Sequence, residues 1–326
     1  MLKQICGLLA SGVAVVAMTA GGVAGEKWDM PMAYSDSNYH TQNGKLFAAA
    51  VTSCTGGELE IVVHGGGSLF KGNEIKRAVQ TGVAQLGERL LSAHQNEEVI
   101  FGYDSVPFLA TSFDASKKLW AAARATMEEK LDAQNLVLLY AVPWPGQGLY
   151  FKKEVNSIAD TQGVKFRSYN SATARLAELS GMLPVQVEAA ELSQALATGV
   201  AESFVSSGST GVDRKVWEHL SHFYAVNAWL PRNYIFVNKD SWASLSDKSR
   251  DCLKTEAAIA EKTGTDTAES LAAGYLVTLA DNGMKVQDAE GQFLADLKSI
   301  GATMTTEWLA KSGDTGMAIV EAYKAQ

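Results

Sequence analysis

Short apolar runs alternate with amphipathic segments along most of the chain. Glu58–Val63 is predicted as a strand, and Asn73–Leu86 repeats apolar residues at helical spacing. The continuous apolar run Val137–Val142 is typical of a strand covered on both faces. Strands that alternate with helices in this way form βαβ units. The pattern therefore predicts an α/β fold with a largely parallel sheet.

The pattern also predicts two domains. The stiff turn Pro143–Gly148 suits a crossover between them, and Tyr234–Val237 is predicted as a strand that returns to the first domain. From Asp247 to about Gly283 the pattern stays helical without proline, as one long helix or as two helices broken near Gly264 or Gly274. The remainder is predicted to hold further helical and strand segments. We therefore expect domain I to comprise 25–142 plus about 234–262, and domain II 143–233 plus about 263–326.

Residues 1–24 have the pattern of a cleaved signal peptide. Lys3 supplies the positive charge, Ile5–Met18 the apolar stretch, and Gly22-Val23-Ala24 a small-residue cleavage site. No later segment resembles a transmembrane helix. The sequence therefore predicts a protein exported to the periplasm.

Composition and charge narrow the classes of partner. With 326 residues, 47% hydrophobic and 20% charged, the chain has room for about two globular domains. A formal net charge of −8 argues against nucleic acid or anionic membranes as partners, but it does not exclude a small anionic ligand. An oxidising compartment permits a disulfide between Cys54 and Cys252, although the sequence does not show that they meet.

No recognisable catalytic or metal-binding constellation is present in the sequence. The run His64-Gly65-Gly66-Gly67 is compatible with an esterase oxyanion hole, but no Gly-x-Ser-x-Gly nucleophile motif accompanies it. Phosphate-loop, dinucleotide and zinc-protease motifs are absent, and the five histidines lack a metal-ligand spacing. We therefore predict no catalytic residues, no metal and no cofactor.

Arg167 is the strongest candidate for ligand binding. Val164 and Phe166 alternate with Lys165 and Arg167, which fits a short strand with one buried face. Arg167 then lies at the carboxyl end of that strand, where α/β sheets gather ligands. A guanidinium there binds a carboxylate through two parallel hydrogen bonds.

Further candidates lie in predicted loops and crossovers. Trp144 and Trp229 flank proline turns, and Phe204 leads into a hydroxyl-rich run. Four further candidates follow predicted strands or lie at crossovers: Glu88, Asn38, Tyr34 and Asn233. The alternatives are ordinary aromatic packing, a solvated loop and, for Glu88, a carboxylate at a helix end. The predicted ligand-binding residues are Arg167, Asn170, Trp144, Gln147, Phe204, Ser206, Ser207, Trp229, Asn233, Tyr34, Asn38 and Glu88.

Several short motifs follow one another along most of the chain. They are Gly56-Gly57-Glu58-Leu59, Gly66-Gly67-Ser68-Leu69, Gly72-Asn73-Glu74-Ile75, Ala78-Val79-Gln80-Thr81-Gly82, Val106-Pro107-Phe108-Leu109, Asn156-Ser157-Ile158-Ala159-Asp160, the 163–167 strand, Ala195-Leu196-Ala197-Thr198-Gly199 and Val237-Asn238-Lys239. Their order resembles the substrate-binding subunits of TRAP transporters, the tripartite ATP-independent periplasmic systems, in the dicarboxylate-binding-protein-like family. This resemblance implies two α/β domains joined by crossing strands, a long bridging helix and a cleft that closes on an organic acid. It also implies that Arg167 binds the carboxylate, that TRAP membrane subunits are partners and that the protein is a monomer.

Two departures from the family pattern bear on the ligand. Gln147 stands where some members have a second arginine, and the Ser206-Ser207 region stands where sialic-acid-binding members have an asparagine. A sugar acid is therefore disfavoured. The missing arginine, together with Trp144 and Trp229, favours a monocarboxylate with an apolar or aromatic body. Two other functions stay open at this point: an exported enzyme that acts on small acids, and a ligand-sensing subunit of a receptor.

Overall fold

The computed structural model describes residues 25–326, so the predicted signal peptide lies outside the described residues. The strands in this range are β1 (Glu26–Pro31), β2 (Leu59–His64), β3 (Leu86–Leu90), β4 (Leu136–Pro143), β5 (Gly148–Phe151), β6 (Lys165–Ser168), β7 (Leu183–Gln186), β8 (Ser203–Ser206), β9 (His222–Ala225), β10 (Arg232–Asn238) and β11 (Lys285–Asp288). The α-helices are α1 (Tyr39–Thr55), α2 (Gly72–Gln80), α3 (Phe113–Asp132), α4 (Ser171–Leu179), α5 (Leu192–Ala197), α6 (Gly208–Asp213), α7 (Lys239–Ser244), α8 (Asp247–Asp281) and α9 (Gly291–Lys324).

Two separate sheets lie in the part of the chain expected to form domain I, one parallel and one antiparallel. β1 pairs in parallel with β2, while a three-stranded sheet has the order β3-β10-β4 with β10 antiparallel to both neighbours. The prediction of a largely parallel sheet is wrong for this second sheet. Its central strand returns from domain II, as the pattern at Tyr234–Val237 predicted, so no βαβ crossover sets its direction.

Domain II contains a six-stranded sheet in the order β11-β9-β5-β8-β6-β7. β6 is parallel to β7 and β8, whereas β5 is antiparallel to β8 and β9. The chain passes from the three-stranded sheet to the six-stranded sheet between β4 and β5, and it returns between β9 and β10. Two crossing segments therefore connect the domains, and the carboxyl end of β6 faces the space between them.

The predicted helix Asn73–Leu86 is wrong in its second half. Ile75 and Val79 are buried on α2 as the spacing predicts, but the helix ends at Gln80 and Val83 is largely exposed. Gly82 has a φ of 75°, which glycine adopts without steric cost and which ends the helical path. The following residues form β3, a strand that the helical pattern concealed.

The region 247–283 is dominated by one unbroken helix, α8, of 35 residues. It packs on α1 and β4 in domain I and on α6 in domain II, so it bridges the two domains. The alternative of one long helix is confirmed, and α8 is not broken near Gly264 or Gly274. Gly264 instead permits close packing on β4, because a Cβ at this position would lie 2.6 Å from a methyl group of Val142.

The C-terminal region and the cysteines give two further results. The predicted mixture of segments from Phe293 to Tyr323 is a single helical run, α9, kinked at Gly313, where φ is 57° and ψ is −145°. Cys54 and Cys252 form a disulfide between α1 and α8, with Cα atoms 5.8 Å apart. No helix within residues 25–326 is long and apolar enough to cross a membrane.

Candidate ligand site in the interdomain cleft

A small cavity of about 40 Å³ lies between the two domains. Both domains contribute to its wall, and three of the lining residues are charged. The lining residues are Tyr34, Arg89, Leu90, Ala93, Trp144, Gln147, Arg167, Tyr169, Glu188, Ala189, Ser206, Thr210 and Pro231. The cleft is closed over this cavity by contacts between residues of the two domains.

Arg167 lies in the wall formed by domain II, near the carboxyl end of β6. The side chain is only 3% exposed, its Nε donates a hydrogen bond to the carbonyl oxygen of Val187 at 2.8 Å, and its guanidinium lies 5.1 Å from the ring centre of Tyr169. Within residues 25–326 it forms no salt bridge with a carboxylate. Burial lowers the pKa of the guanidinium below its ordinary value, because desolvation disfavours the charged form. An anionic ligand would supply the missing counter-charge.

Aromatic rings form the opposite wall. Tyr34 meets Trp144 edge to face, with ring centres 4.7 Å apart, and the indole Nε1 of Trp144 donates to Asn233 Oδ1 at 2.8 Å. Burial raises the pKa of Tyr34 to about 12, so its phenol stays protonated and remains a hydrogen-bond donor. Asn233 therefore orients an aromatic wall residue and does not itself line the cavity.

A chain of hydrogen bonds holds Tyr169 over the guanidinium. Trp229 Nε1 donates to the Tyr169 hydroxyl at 3.1 Å, and that hydroxyl donates to Gln147 Oε1 at 3.2 Å. The Gln147 amide nitrogen donates to the carbonyl oxygen of Pro145 at 3.0 Å. Trp229 is thus placed behind Tyr169, outside the cavity wall, while Gln147 is part of the wall.

The hydroxyl-rich run is divided between the cavity and the core. Ser206 lines the cavity and donates to the hydroxyl of Thr210, another wall residue, at 2.8 Å. Ser207 is the N-cap of α6 and is fully buried. Phe204 stacks on Tyr150 with ring centres 4.3 Å apart, inside the core of domain II.

Two predicted asparagines cap helices and also connect the domains. Asn170 caps α4, and its Nδ2 donates to Ser92 Oγ at 3.0 Å across the cleft. Asn38 caps α1 and donates to a carboxylate oxygen of Asp213 at 2.5 Å. Both cross-domain contacts lie outside the cavity wall and hold the cleft closed.

Glu88 is buried outside the cavity wall, and its neighbour Arg89 occupies the wall instead. A Glu88 oxygen lies 3.4 Å from His40 Nδ1, and the His40 ring packs against Trp144 at 4.2 Å. Arg89 Nη1 and Nη2 contact the two carboxylate oxygens of Glu188 at 3.1 and 3.2 Å.

Sequence reasoning missed Arg89, Tyr169 and Glu188, and it included Thr210 only as part of the hydroxyl-rich run after Phe204. Arg89 was hidden because no strand was predicted after the helix Asn73–Leu86, although β3 begins at Leu86. Neighbouring side chains of a strand point to opposite faces, so recognising β3 would have separated Glu88 from Arg89. Tyr169 stands two residues after Arg167, and this spacing was the available signal for it.

Two α/β domains with crossing strands and a buried arginine in the intervening cleft are typical of a two-domain solute-binding protein. A family model described as bacterial extracellular solute-binding protein, family 7, matches residues 31–312. The chain belongs to this family.

Three related proteins are described as solute-binding proteins or solute receptors, two of them with known structures. A marine metagenome TRAP solute-binding protein, whose crystal structure holds co-purified pyroglutamate, is 60% identical, covers 93% of this chain and 99% of its own, and superposes with a TM-score of 0.92. An extracytoplasmic solute receptor of Bordetella pertussis that binds pyroglutamic acid is 42% identical, with coverage of 92% and 100% and a TM-score of 0.91. A monocarboxylate 2-oxoacid-binding periplasmic protein of a Nostoc species is 22% identical over 81% of this chain and 74% of its own length.

These findings confirm the predicted family, fold class and general function. The protein is a TRAP-type solute receptor that captures an organic acid outside the cytoplasm for delivery to a membrane transporter.

Proposed function

We propose that this receptor binds pyroglutamate, a compact cyclic monocarboxylate, with its carboxylate on Arg167. The observation that carries the proposal is the guanidinium of Arg167, which is buried in the cleft wall without a carboxylate partner. The relatives that are 60% and 42% identical to this chain and bind pyroglutamate support the choice of ligand. A charge-assisted hydrogen bond to a buried carboxylate contributes about 1.5–3 kcal/mol net.

The remaining wall residues suit a flat ring with polar edges. Tyr34, Trp144 and Tyr169 offer apolar ring surfaces, while Ser206 and Thr210 offer hydroxyls for the lactam group. This differs from the aromatic or apolar body favoured by the sequence, because these hydroxyls are polar groups within the wall. The preference for a monocarboxylate, which the sequence also indicated, is unchanged.

The supporting residues complete the proposed site from behind the wall. In this proposal Asn233 and Trp229 orient wall residues, and Asn170 and Asn38 hold the closed cleft. Ser207 and Phe204 shape domain II, and Glu88 supports the Trp144 wall through His40.

Several properties of the mature protein belong to the same proposal. We expect residues 1–24 to be cleaved on export to the periplasm, and the mature chain to act as a monomer. We keep the domain boundaries proposed from the sequence, with 25–142 and about 234–262 in domain I and 143–233 and about 263–326 in domain II. We also expect the ligand to be released unchanged, without catalysis.

Calorimetric titration and thermal shift of the mature protein test the ligand. L-pyroglutamate at ~100 times its dissociation constant should stabilise the fold by about 2.7 kcal/mol. Two matched compounds separate the contributions of the carboxylate and the lactam to the binding affinity. 2-Pyrrolidinone retains the lactam without the carboxylate, and cyclopentanecarboxylate retains a ring carboxylate without the lactam.

We expect no measurable binding of 2-pyrrolidinone and weakened binding of cyclopentanecarboxylate. Equal affinity for pyroglutamate and 2-pyrrolidinone would contradict a carboxylate site at Arg167. NMR would detect conversion of pyroglutamate to another compound during prolonged incubation. Such conversion would contradict a receptor without catalysis and would favour an exported enzyme.

A further inference from the structure

We propose that Glu188 sets the charge selectivity of the cleft, because its carboxylate neutralises Arg89 and leaves Arg167 as the single uncompensated charge. The inference rests on the proposed function, since it concerns the same cavity. The wall contains two arginines and one glutamate, so its formal charge is 2 − 1 = +1. A wall with one net positive charge matches a monocarboxylate.

The ion pair between Arg89 and Glu188 engages both terminal nitrogens of the Arg89 guanidinium. Nη1 and Nη2 donate to separate oxygens of Glu188, in the bidentate arrangement that fixes both planes. The remaining Nε donates to His94 Nε2 at 3.4 Å. Each of the three nitrogens of Arg89 therefore makes a contact within the protein, and its charge is already paired with that of Glu188.

The surrounding backbone leaves room for this pair and couples it to Arg167. A Cβ at Gly72, in the first turn of α2, would lie 2.7 Å from both Arg89 Nη1 and a Glu188 oxygen, so any larger residue would displace the pair. The peptide before Glu188 is also used, because the Val187 carbonyl accepts the Nε hydrogen bond of Arg167. The segment 187–188 thus holds both arginines of the wall, each in a different way.

The consequence concerns acids with two carboxylates. The second carboxylate of a bound dicarboxylate would lie in the closed cleft with Arg89 already paired, and a buried charge without a partner is strongly disfavoured. If Glu188 loses its charge, Arg89 becomes available to that second carboxylate. Removal of one negative charge should therefore change which ligand is preferred.

Calorimetric titration of Glu188→Gln with L-pyroglutamate and glutarate tests this inference. Glutarate is an acyclic dicarboxylate with the same number of carbon atoms. We expect the ratio of glutarate to pyroglutamate affinity to rise at least tenfold over that of the wild type. Glu191→Gln is the matched control, because Glu191 pairs with Lys71 across the cleft at 3.6 Å but lies outside the cavity wall; its ratio should equal that of the wild type.

A double variant separates charge selection from simple closure. Arg89→Gln combined with Glu188→Gln restores a wall charge of +1 without the pair, and it should return the affinity ratio to within threefold of the wild type. If Glu188 only holds the cleft closed, Glu188→Gln should weaken the binding of both acids equally. If the wild-type protein binds pyroglutamate but Glu188→Gln leaves the ratio of glutarate to pyroglutamate affinity unchanged, the inference about Glu188 is overturned and the proposed function is not. If the wild-type protein binds neither acid, the proposed function fails, and the inference fails with it.

Discussion

Arg167→Ala removes the cation that faces the cavity without a counter-charge. The carboxylate of pyroglutamate would then be enclosed in the cleft with no partner, an arrangement that costs about 3–5 kcal/mol. Since each 1.4 kcal/mol changes a dissociation constant about tenfold, the loss of affinity corresponds to roughly 150- to 5000-fold. We expect at least ~100-fold, because water that enters the enlarged cavity solvates part of the charge.

Arg167→Lys refines the same prediction. Lysine keeps the positive charge but lacks both the planar fork and the Nε–H that donates to Val187. We expect a loss of about tenfold, between the wild type and the alanine variant. This order of affinities would show that geometry contributes in addition to charge.

Calorimetric titration with L-pyroglutamate measures all variants under one condition. Lys165→Ala is the matched control, because it removes an exposed cation from the same strand, where Lys165 Nζ contacts the carbonyl oxygen of Gly199 at 3.0 Å. Circular dichroism and the thermal midpoint establish that each variant is folded. A folded Arg167→Ala protein that binds within threefold of the wild type would refute the carboxylate role of Arg167.

Three further predictions concern the stability of the fold. Replacing Cys54 and Cys252 with serine should lower the free energy of unfolding by about 2–5 kcal/mol, since the disulfide spans 198 positions, and urea unfolding measures the loss. Burial raises the pKa of Asp104 to about 7, so the folded state holds a proton that the unfolded chain loses above its ordinary pKa of 3.8. Stability is therefore lost as pH rises through that window, and the advantage of Asp104→Asn over the wild type should grow by about 3 kcal/mol between pH 5 and pH 8 in urea titrations. In α8, Gly274→Ala should stabilise by about 0.5–1 kcal/mol through helix propensity, whereas Gly264→Ala should destabilise by about 1–3 kcal/mol because it overpacks the contact with β4.

Each of these predictions would be contradicted by a specific result. Reduction of the wild-type protein should reproduce the loss seen in the serine variant, and equal midpoints with and without reductant would exclude a stabilising disulfide. Parallel pH profiles for Asp104→Asn and the wild type would show that this carboxyl does not titrate between pH 5 and pH 8. Equal effects of alanine at the two glycines of α8 would show that packing at Gly264 does not control its stability.

Local patterns predicted the elements whose periodicity is unambiguous. The returning strand at 234–237 lies within β10, and the proline-free helical region from Asp247 to about Gly283 is dominated by α8. Periodicity failed where the same residues fit two structures. The apolar residues that follow Val79 fit a continued helix as well as a new strand, and only the turn at Gly82 separates the alternatives. The sequence showed this glycine but not its positive φ.

The content of the cleft was predictable only in part, because it depends on which face of each strand meets the other domain. Tyr34, Trp144, Gln147, Arg167 and Ser206 were proposed from turns and strand ends, and all of these residues line the cavity. Such positions lie where the chain passes between domains, so local sequence marks them well.

Charge balance in the cleft required information that no local pattern contains. Arg89 and Glu188 are 99 positions apart, and they meet only because β3 and the segment after β7 face each other across the closed cleft. The sequence favoured a monocarboxylate for a different reason, because Gln147 stands where some family members have a second arginine. The structure replaces that reason: a second arginine is present in the wall, and its effect depends on the glutamate that engages it. Ligand charge in such a cleft is therefore determined by the pairing of its arginines as well as by their number.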